Sequence, residues 1–476
     1  MQRRTALTTL ALLALATTPA AAPAATPRTD APAPTMIRAM AAVGPSSGAI
    51  AIDLSTGRQL YAQRADVRRV PASVEKLSTT ATALVRMGGS GVLKTSIYGG
   101  GVLDDHGTYQ GRLYMRGGGD PTFGSEWFTE NVFGTGATIS SLVKKLLLET
   151  GIKQIHGSVV GDESLFDTRR GGPDTDYQFS YDLGARLTAL VYNRGLTDNG
   201  SYQSSPALYA AARMTDELRR QGIKVSGRPS QGKLPADSEL LTQVDSPPIS
   251  TLIRMTNTPS DNFFAETLIK TLGARFGSAG TTAAGALVVS EQIARWGLHS
   301  TVADGSGLSY SNRTSPREVV ALLSAMYKSP DVAAWRRSLA VAGRTGTLAA
   351  RMVATAAQDR CQGKTGTLPG VSALAGYCRS ANNHLIAFAF LMNDVDISVA
   401  RSTQNSMAVA LARSKPSGAV AKSRARAGIQ QTSQPSPRLL KQTDQTSLIE
   451  DLNAESLGLG ELGSRALSRN QIVGLF

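Results

Sequence analysis

The sequence predicts an α/β protein of the α+β kind, with a central antiparallel sheet flanked by helices and an inserted unit of mixed α/β structure. Three observations carry this expectation. Strand signals at 361–367, 371–378 and 385–392 follow one another at hairpin spacing, and the last is a continuous apolar run of the sort found in a central strand. Helical periodicity precedes them at 249–255, 261–272, 281–296 and 316–327, and returns at 399–413. Between 93 and 247 the texture changes to Gly-rich turns separating short strands, as an insertion would.

Taken in order, the chain starts with Arg3-Arg4, an apolar run at 6–16 too short to cross a bilayer, and Ala20-Ala21-Ala22. This is the pattern of a secretory signal over residues 1–25, and Pro19 and Pro23 break any continuing helix. Arg3-Arg4-Thr5-Ala6-Leu7 also loosely fits a twin-arginine signal. Export would place the protein in the periplasm or the extracellular cell envelope and make nucleic acid a poor partner. It would also put Cys361 and Cys378 in an oxidising compartment. Residues 26–40, rich in Pro, Ala and Thr, read as a flexible linker. A strand at 49–54, a turn at Ser55-Thr56-Gly57 and a strand at 59–62 follow. Pro71-Ala72 opens a helix at 73–87, which Gly88-Gly89 closes. The insertion, 93–247, holds strands at Leu113-Tyr114-Met115 and Ser158-Val159-Val160 and helices at 139–150 and 206–221. Residues 41–92 and 248–413 then form one domain around it. The tail, 414–476, is Ser/Gln/Arg/Pro-rich and reads as disordered. Its Leu448, Leu452, Leu459 and Leu462 offer the alternative of an amphipathic helix for peripheral membrane contact or a partner.

Composition narrows the function. A length of 476 residues suggests two or three domains, and 41% hydrophobic with 18% charged residues excludes a disordered chain, a coiled coil and a polytopic membrane protein. Two cysteines exclude a disulfide-dense scaffold and a multi-cysteine metal site. His106, His156, His299 and His384 share no metal-ligand spacing, so no metal is expected. A net charge of +14 favours anionic partners, and for an exported protein these are acidic cell-envelope polymers.

Three motifs carry chemistry. Ser73-Val74-Glu75-Lys76 sets a hydroxyl and an amine three residues apart at a helix start, so one turn brings both to the same face. A serine needs a base to become a nucleophile, and a helix N-terminus favours the developing alkoxide. The spacing alone is common. Ser141 with Lys144 repeats it inside an amphipathic helix, and Ser230 with Lys233 in a Gly/Pro loop, neither expected at a helix start. Ser260-Asp261-Asn262 leads into the next helix. Its serine and carboxamide can relay a proton and orient an amide, but it is equally good N-cap chemistry. Ser380-Ala381-Asn382 and Ser468-Arg469-Asn470 repeat that pattern in a turn and in the tail. Lys364-Thr365-Gly366-Thr367 puts a cation, hydroxyls and a side-chain-free position on one strand edge, which suits a carboxylate. Arg344-Thr345-Gly346-Thr347 is a near-copy, but it runs into the helix-like Leu348-Ala349-Ala350-Arg351-Met352, whereas the Lys364 copy continues into a hairpin. If Pro369-Gly370 is a two-residue turn, Cys361 faces Cys378 across that hairpin, close enough to bridge. A longer turn would leave two free thiols.

Together and in this order, the three motifs resemble the set shared by penicillin-binding proteins and class A β-lactamases. More closely, the chain is similar to the class C low-molecular-mass penicillin-binding proteins, the D-alanyl-D-alanine carboxypeptidase/endopeptidases of peptidase family S13. Gly119-Asp120-Pro121-Thr122, Asp304-Gly305-Ser306-Gly307-Leu308-Ser309 and the run from Lys364 through Leu368 to Val371–Tyr377 carry that likeness, over about residues 40–412. Ser73 and Ser260 lie much farther apart than in β-lactamases, though the insertion looks shorter than the family's, between Tyr192-Asn193 and Pro206.

The resemblance implies a penicillin-binding, β-lactamase-like transpeptidase fold and a serine carboxypeptidase/endopeptidase acting on peptidoglycan stem peptides, with no cofactor. It implies Ser73 as the nucleophile that forms an acyl-enzyme. Lys76 would be the base, its pKa depressed by burial and by the cation Lys364. Ser260 would relay the proton to the leaving amine, and Asn262 would hold Lys76 and the substrate amide. Lys364, Thr365 and Thr367, on a strand opened by Gly366, would bind the terminal carboxylate. The N–H groups of Ser73 and Thr367 would form the oxyanion hole. β-Lactam antibiotics, as mimics of the substrate amide, would acylate Ser73 and leave slowly. One rival is a serine β-lactamase, which would need a glutamate-activated water, usually from an E-x-x-L-N loop absent here; Glu75 is expected to face away. Another is a catalytically idle peptidoglycan-binding protein, against which the intact motif set argues. Gly44-Pro45-Ser46-Ser47-Gly48 fails as a hydrolase elbow because a strand follows it, and Gly458–Gly463 fails as a dinucleotide fingerprint because no strand precedes it.

Overall fold

Two sheets organise the chain in a computed structural model that describes residues 32–418. The expected signal, most of the tail, Ser468-Arg469-Asn470 and Gly458–Gly463 lie outside the described residues. In chain order the elements are α1 (Ala33–Ala41), β1 (Ser47–Asp53), β2 (Gln59–Gln63), α2 (Lys76–Met87), β3 (Lys94–Leu103), β4 (Thr108–Arg116) and the single-turn α3 (Glu126–Phe128). Then come α4 (Ile139–Thr150), β5 (Gln154–His156), β6 (Val159–Asp162), α5 (Pro206–Arg220), β7 (Lys224–Val225), β8 (Ser230–Gln231) and β9 (Glu239–Asp245). The remainder is α6 (Ile249–Asn257), α7 (Asn262–Phe276), α8 (Thr282–Ala294), α9 (Pro316–Lys328), α10 (Val332–Arg337), β10 (Ala340–Val341), β11 (Cys361–Leu368), β12 (Val371–Arg379), β13 (Leu385–Asn393) and α11 (Ile397–Arg413).

The first sheet is antiparallel throughout, in the order β10-β11-β12-β13-β1-β2. Strand β13 is apolar from Leu385 to Met392 because both of its faces are covered. Ala387, Ala389 and Leu391 pack with residues of α2 and α6 to α9, while Ile386, Phe388, Phe390 and Met392 pack with α1 and α11. The β11–β12 turn is Pro369-Gly370, with Gly370 at φ +70°, where a side chain would be strained. That two-residue turn fixes the register, so Leu368 faces Val371 and Cys361 faces Cys378; the two cysteines form a disulfide.

The second sheet draws all its strands from residues 94–245 and is mixed. Strand β3 pairs antiparallel with β4 and β9, while β4–β5, β4–β6, β5–β7 and β6–β8 are parallel. Helices α4 and α5 bury Leu142, Val143, Leu146, Ala207, Ala211 and Met214 in its core.

Two expectations need correction. Part of the stretch read as a linker, from Ala33 onward, is helix α1. Its Met36 and Met40 are buried against Met407 and Leu411 of α11, and its prolines sit at the helix start, where a missing N–H costs nothing. The helix-like run at 348–352 forms only a 3-10 turn at Gly346–Leu348. Met352 and Ala354 adopt φ +61° and +55°, left-handed values that stop a right-handed helix from propagating.

The disulfide closes a separation of 17 residues. Replacing both cysteines by serine is expected to lower stability by about 2–4 kcal/mol. Urea denaturation of the wild type and the double variant checks this, and coincident midpoints would contradict it.

Candidate active site

Pro71-Ala72 leads into a 3-10 turn, Ala72–Glu75, that passes directly into α2 at Lys76. Ala72 sits at φ +47°, so the chain enters this turn through a strained residue. The turn sets Ser73 and Lys76 side by side. Lys76 Nζ lies 2.9 Å from Ser73 Oγ, 2.6 Å from Asn262 Oδ1 and 2.7 Å from the Ser306 carbonyl. The lysine is fully buried. Burial pushes its pKa down from 10.5 to about 8, while the carboxylates of Asp304, Asp261 and Glu266 pull the other way. Of the two causes expected from sequence, burial is the one that lowers it here.

At the start of α7 both readings of Ser260-Asp261-Asn262 hold at once. Asp261 is the N-cap and accepts from Phe264 N at 2.9 Å. With that duty assigned to Asp261, its neighbours are left for other partners. Ser260, at φ +68°, turns its Oγ to accept from Lys364 Nζ at 2.6 Å. Asn262 accepts from Lys76 and donates through Nδ2 to the Asp182 carbonyl at 2.7 Å.

Lys364 is fully buried on β11 and also reaches the Thr365 carbonyl at 2.8 Å. A Cβ at Gly366 would lie 2.7 Å from the Pro71 carbonyl and 3.0 Å from Ser73 N, so β11 lies directly against the Ser73 turn and no side chain fits between. Thr365 Oγ1 donates to Thr347 Oγ1 at 2.7 Å. The near-copy of this motif is therefore a brace. Thr347 N also donates to the Thr258 carbonyl, tying β11 to the turn before α7, while Arg344 pairs with Asp359 at the surface.

The other repeats fall outside the cleft. Ser141 with Lys144 does begin a helix, contrary to expectation, but Ser141 completes a capping box with Thr138 and Lys144 faces Glu126. Ser230 lies on β8, and Ser380 donates to Asn382 in its own turn. Glu75 is buried with Ser78, Ile293 and Leu298 instead of beside Ser73.

Comparison with protein families gives a match to the D-Ala-D-Ala carboxypeptidase 3 (S13) family over residues 36–203 and 197–414. The chain belongs to the S13 family. It is a serine-type D-Ala-D-Ala carboxypeptidase/endopeptidase, a hydrolase. The two matched stretches meet at 197–203, where the insertion looked short from sequence. The D-alanyl-D-alanine carboxypeptidase of Actinomadura sp. (strain R39) is 28% identical over 452 residues, covering 78% of this chain and 81% of that protein. Penicillin binding protein 4 (dacB) from Haemophilus influenzae superposes with a TM-score of 0.65 at 21% identity, covering 78% of this chain and 97% of that one. The same protein complexed with a novel β-lactam gives 0.59 at 20% identity, covering 78% and 98%. These superpositions establish the penicillin-binding fold.

Sequence reasoning missed several groups around this candidate site. Arg194 bridges Asp261 at 2.6 Å, with both side chains largely buried, and so fixes the cap between Ser260 and Asn262. It arrives from a loop with no motif, at φ +53°, and nothing in the sequence marks it. The carbonyls of Asp182 and Ser306 act through backbone, which sequence does not advertise. Glu266 was visible as an acid four residues after Asn262 on a buried helix face.

Arg194→Met removes the guanidinium and leaves a buried carboxylate. A stability loss of about 3 kcal/mol is expected, read from urea midpoints. An unchanged midpoint would mean that Asp261 does not need this partner.

Proposed function

We propose that Ser73 attacks the carbonyl between the two terminal D-alanines of a peptidoglycan stem peptide, with Lys76 as its base. The observation that carries this reading is the fully buried amine held 2.9 Å from Ser73 Oγ by two other acceptors. As an ammonium, Nζ has one N–H for each of the three oxygens. As a neutral amine it keeps two N–H bonds, for Asn262 and the Ser306 carbonyl, and its lone pair is left for the Ser73 hydroxyl.

The Ser73 proton then moves to Lys76 Nζ as the Oγ–C bond forms. The N–H groups of Ser73 and Thr367 hold the oxyanion, on a strand brought close by Gly366. Ser260, bonded to Lys364, relays the proton to the departing nitrogen, the C–N bond breaks and D-alanine leaves. Water then attacks the ester and gives a proton to Lys76, which passes it to Ser73 Oγ as the ester C–O bond breaks, so the shortened peptide leaves and both residues are regenerated. Asn262 holds Lys76 and the substrate amide, and Lys364 receives the terminal carboxylate with Thr365 and Thr367. A β-lactam presents the same kind of amide, so it acylates Ser73 and blocks the cleft. The β-lactam complex of the Haemophilus influenzae protein supports that expectation.

The substrate lies outside the cytoplasmic membrane, which supports reading residues 1–25 as a signal and the site of action as the periplasm or extracellular envelope. We take 41–92 and 248–413 as the catalytic domain, 93–247 as its insertion, and the tail as a candidate for peripheral membrane contact.

Mass spectrometry of the protein incubated with penicillin is expected to show one lasting adduct, absent from Ser73→Ala. Rapid turnover would point to a β-lactamase, and no label to an idle binding protein. Digestion of purified muropeptides should release D-alanine.

The pH dependence follows from Lys76. Its pKa is lowered to about 8, so below that pH the amine is protonated and has no lone pair to accept the Ser73 proton. Acylation by a fluorescent penicillin should therefore rise with pH and level off above about 8. Lys76→Met should lose about 10²–10⁴-fold in rate. A rate flat from about pH 6 to 9 would remove Lys76 as the base.

A further inference from the structure

The loop from Asp304 to Ser309 lies between the Ser73 turn and α7, and its backbone N–H groups converge on two buried carboxyls. Gly305 N and Ser306 N donate to Glu266 Oε1 at 2.9 and 2.8 Å. Gly307 N donates to Asp304 Oδ1 at 2.7 Å, and Ser309 N to Asp304 Oδ2 at 2.6 Å. Asn312 Nδ2 adds a bond to Asp304 Oδ1 at 2.8 Å. In a trans peptide the C=O points opposite to the N–H. Gripping the N–H ends on one side therefore aims the carbonyls at α2. The Ser306–Gly307 peptide, held by Asp304, directs the Ser306 carbonyl to Lys76 Nζ at 2.7 Å. The Gly305–Ser306 peptide, held by Glu266, directs the Gly305 carbonyl to Thr79 Oγ1 at 3.0 Å. Gly307, at φ +85°, closes the loop on the Ser73 turn, where a Cβ would lie 2.0 Å from the Ala72 carbonyl.

We propose that Glu266 and Asp304 are positioning residues for Lys76, acting through this loop, so that the amine lone pair stays aligned on Ser73. This rests on reading Lys76 as the base. Asn262 and Glu266, one turn apart on α7, then hold the same amine, the first directly and the second through two peptide units. Glu266 Oε2 meets no protein partner. Burial raises both carboxyls; the three N–H bonds that Asp304 accepts favour its charged form, and that charge raises Glu266 further towards its neutral form. A neutral carboxyl with one accepting oxygen is well mimicked by a carboxamide.

The test reads the rate of Ser73 acylation by a fluorescent penicillin, per folded molecule, as a function of pH. The titratable groups around Lys76 are Asp261 and Glu266 of α7 and Asp304 of the loop, with Glu75 on its own turn and Lys364 across the cleft on β11. Removing a carboxylate by itself makes Lys76 easier to deprotonate and moves the rising limb to lower pH, but leaves the plateau, where every Lys76 is neutral, untouched. Loss of positioning lowers the plateau. Glu266→Asp, which withdraws the acceptor by one methylene, and Asp304→Ala are each expected to lower the plateau about tenfold to a hundredfold. Glu266→Gln, which keeps Oε1, should stay within about threefold of wild type, the margin being small beside that loss. Either impaired variant suffices if the other does not fold. Plateaus equal to wild type in the folded variants would overturn the proposal, whether or not the limb moves, and so would a Glu266→Gln plateau as low as that of Glu266→Asp. A wild-type rate without a rising limb would instead overturn the base reading, and this proposal with it.

Discussion

Burial of the Lys76 amine is the constraint around which the cleft is arranged. A buried ammonium or amine needs a partner for every N–H, because an unmet donor away from water costs about as much as a lost hydrogen bond. Ser73, Asn262 and the Ser306 carbonyl meet that need from three separate stretches of chain. Nothing local in the sequence brings these stretches together. The apolar contacts of α2, α6, α7 and α9 with the inner face of β12 and β13 do so, and the amine is dry only while that packing holds.

The braces around the site are polar and buried, and they sit where the backbone is strained. Ala72, Arg194 and Ser260 all adopt left-handed φ values of +47°, +53° and +68°. Each such residue costs about 1–3 kcal/mol and persists only when its surroundings over-determine it. Here the surroundings are named contacts. Gly366 and Gly307 let two backbone segments close on the Ala72 turn, Arg194 grips Asp261, and Lys364 holds Ser260. Strain and bracing therefore occur together in the segments that build the candidate site.

Legibility from sequence follows from how local each determinant is. Helix α4 could be read to the residue, because its cap, apolar period and closing glycine all lie within one short run, Thr138 to Gly151. The β11–β12 register followed from the two-residue Pro369-Gly370 turn, since a hairpin of fixed loop length has one register. Helix α1 was lost because its Pro/Ala/Thr composition resembles a linker and only tertiary burial of Met36 and Met40 stabilises it. The motif residues were legible because their side chains are of the types the proposed chemistry needs. The Ser306 and Asp182 carbonyls, Arg194 and Thr347 were not, because each acts by where the fold puts it and not by what it is. Arg344-Thr345-Gly346-Thr347 makes the point directly. Four residues nearly identical to Lys364-Thr365-Gly366-Thr367 serve here as a strut between β11 and the Thr258 carbonyl.

The remaining question is which force makes a lysine hold its proton loosely in a cleft crowded with carboxyls. Asp304, Asp261 and Glu266 all stabilise the charged amine, so charge alone would keep Lys76 protonated. Burial acts in the opposite sense and outweighs them, leaving a pKa of about 8. The balance is kept from tipping back by how the acids are themselves treated. Arg194 neutralises Asp261, and burial together with Asp304 raises Glu266 towards its neutral form. Two of the three opposing charges are thereby muted by groups that never touch Ser73. Exclusion of water does the lowering, and the pairing of the acids lets that exclusion prevail.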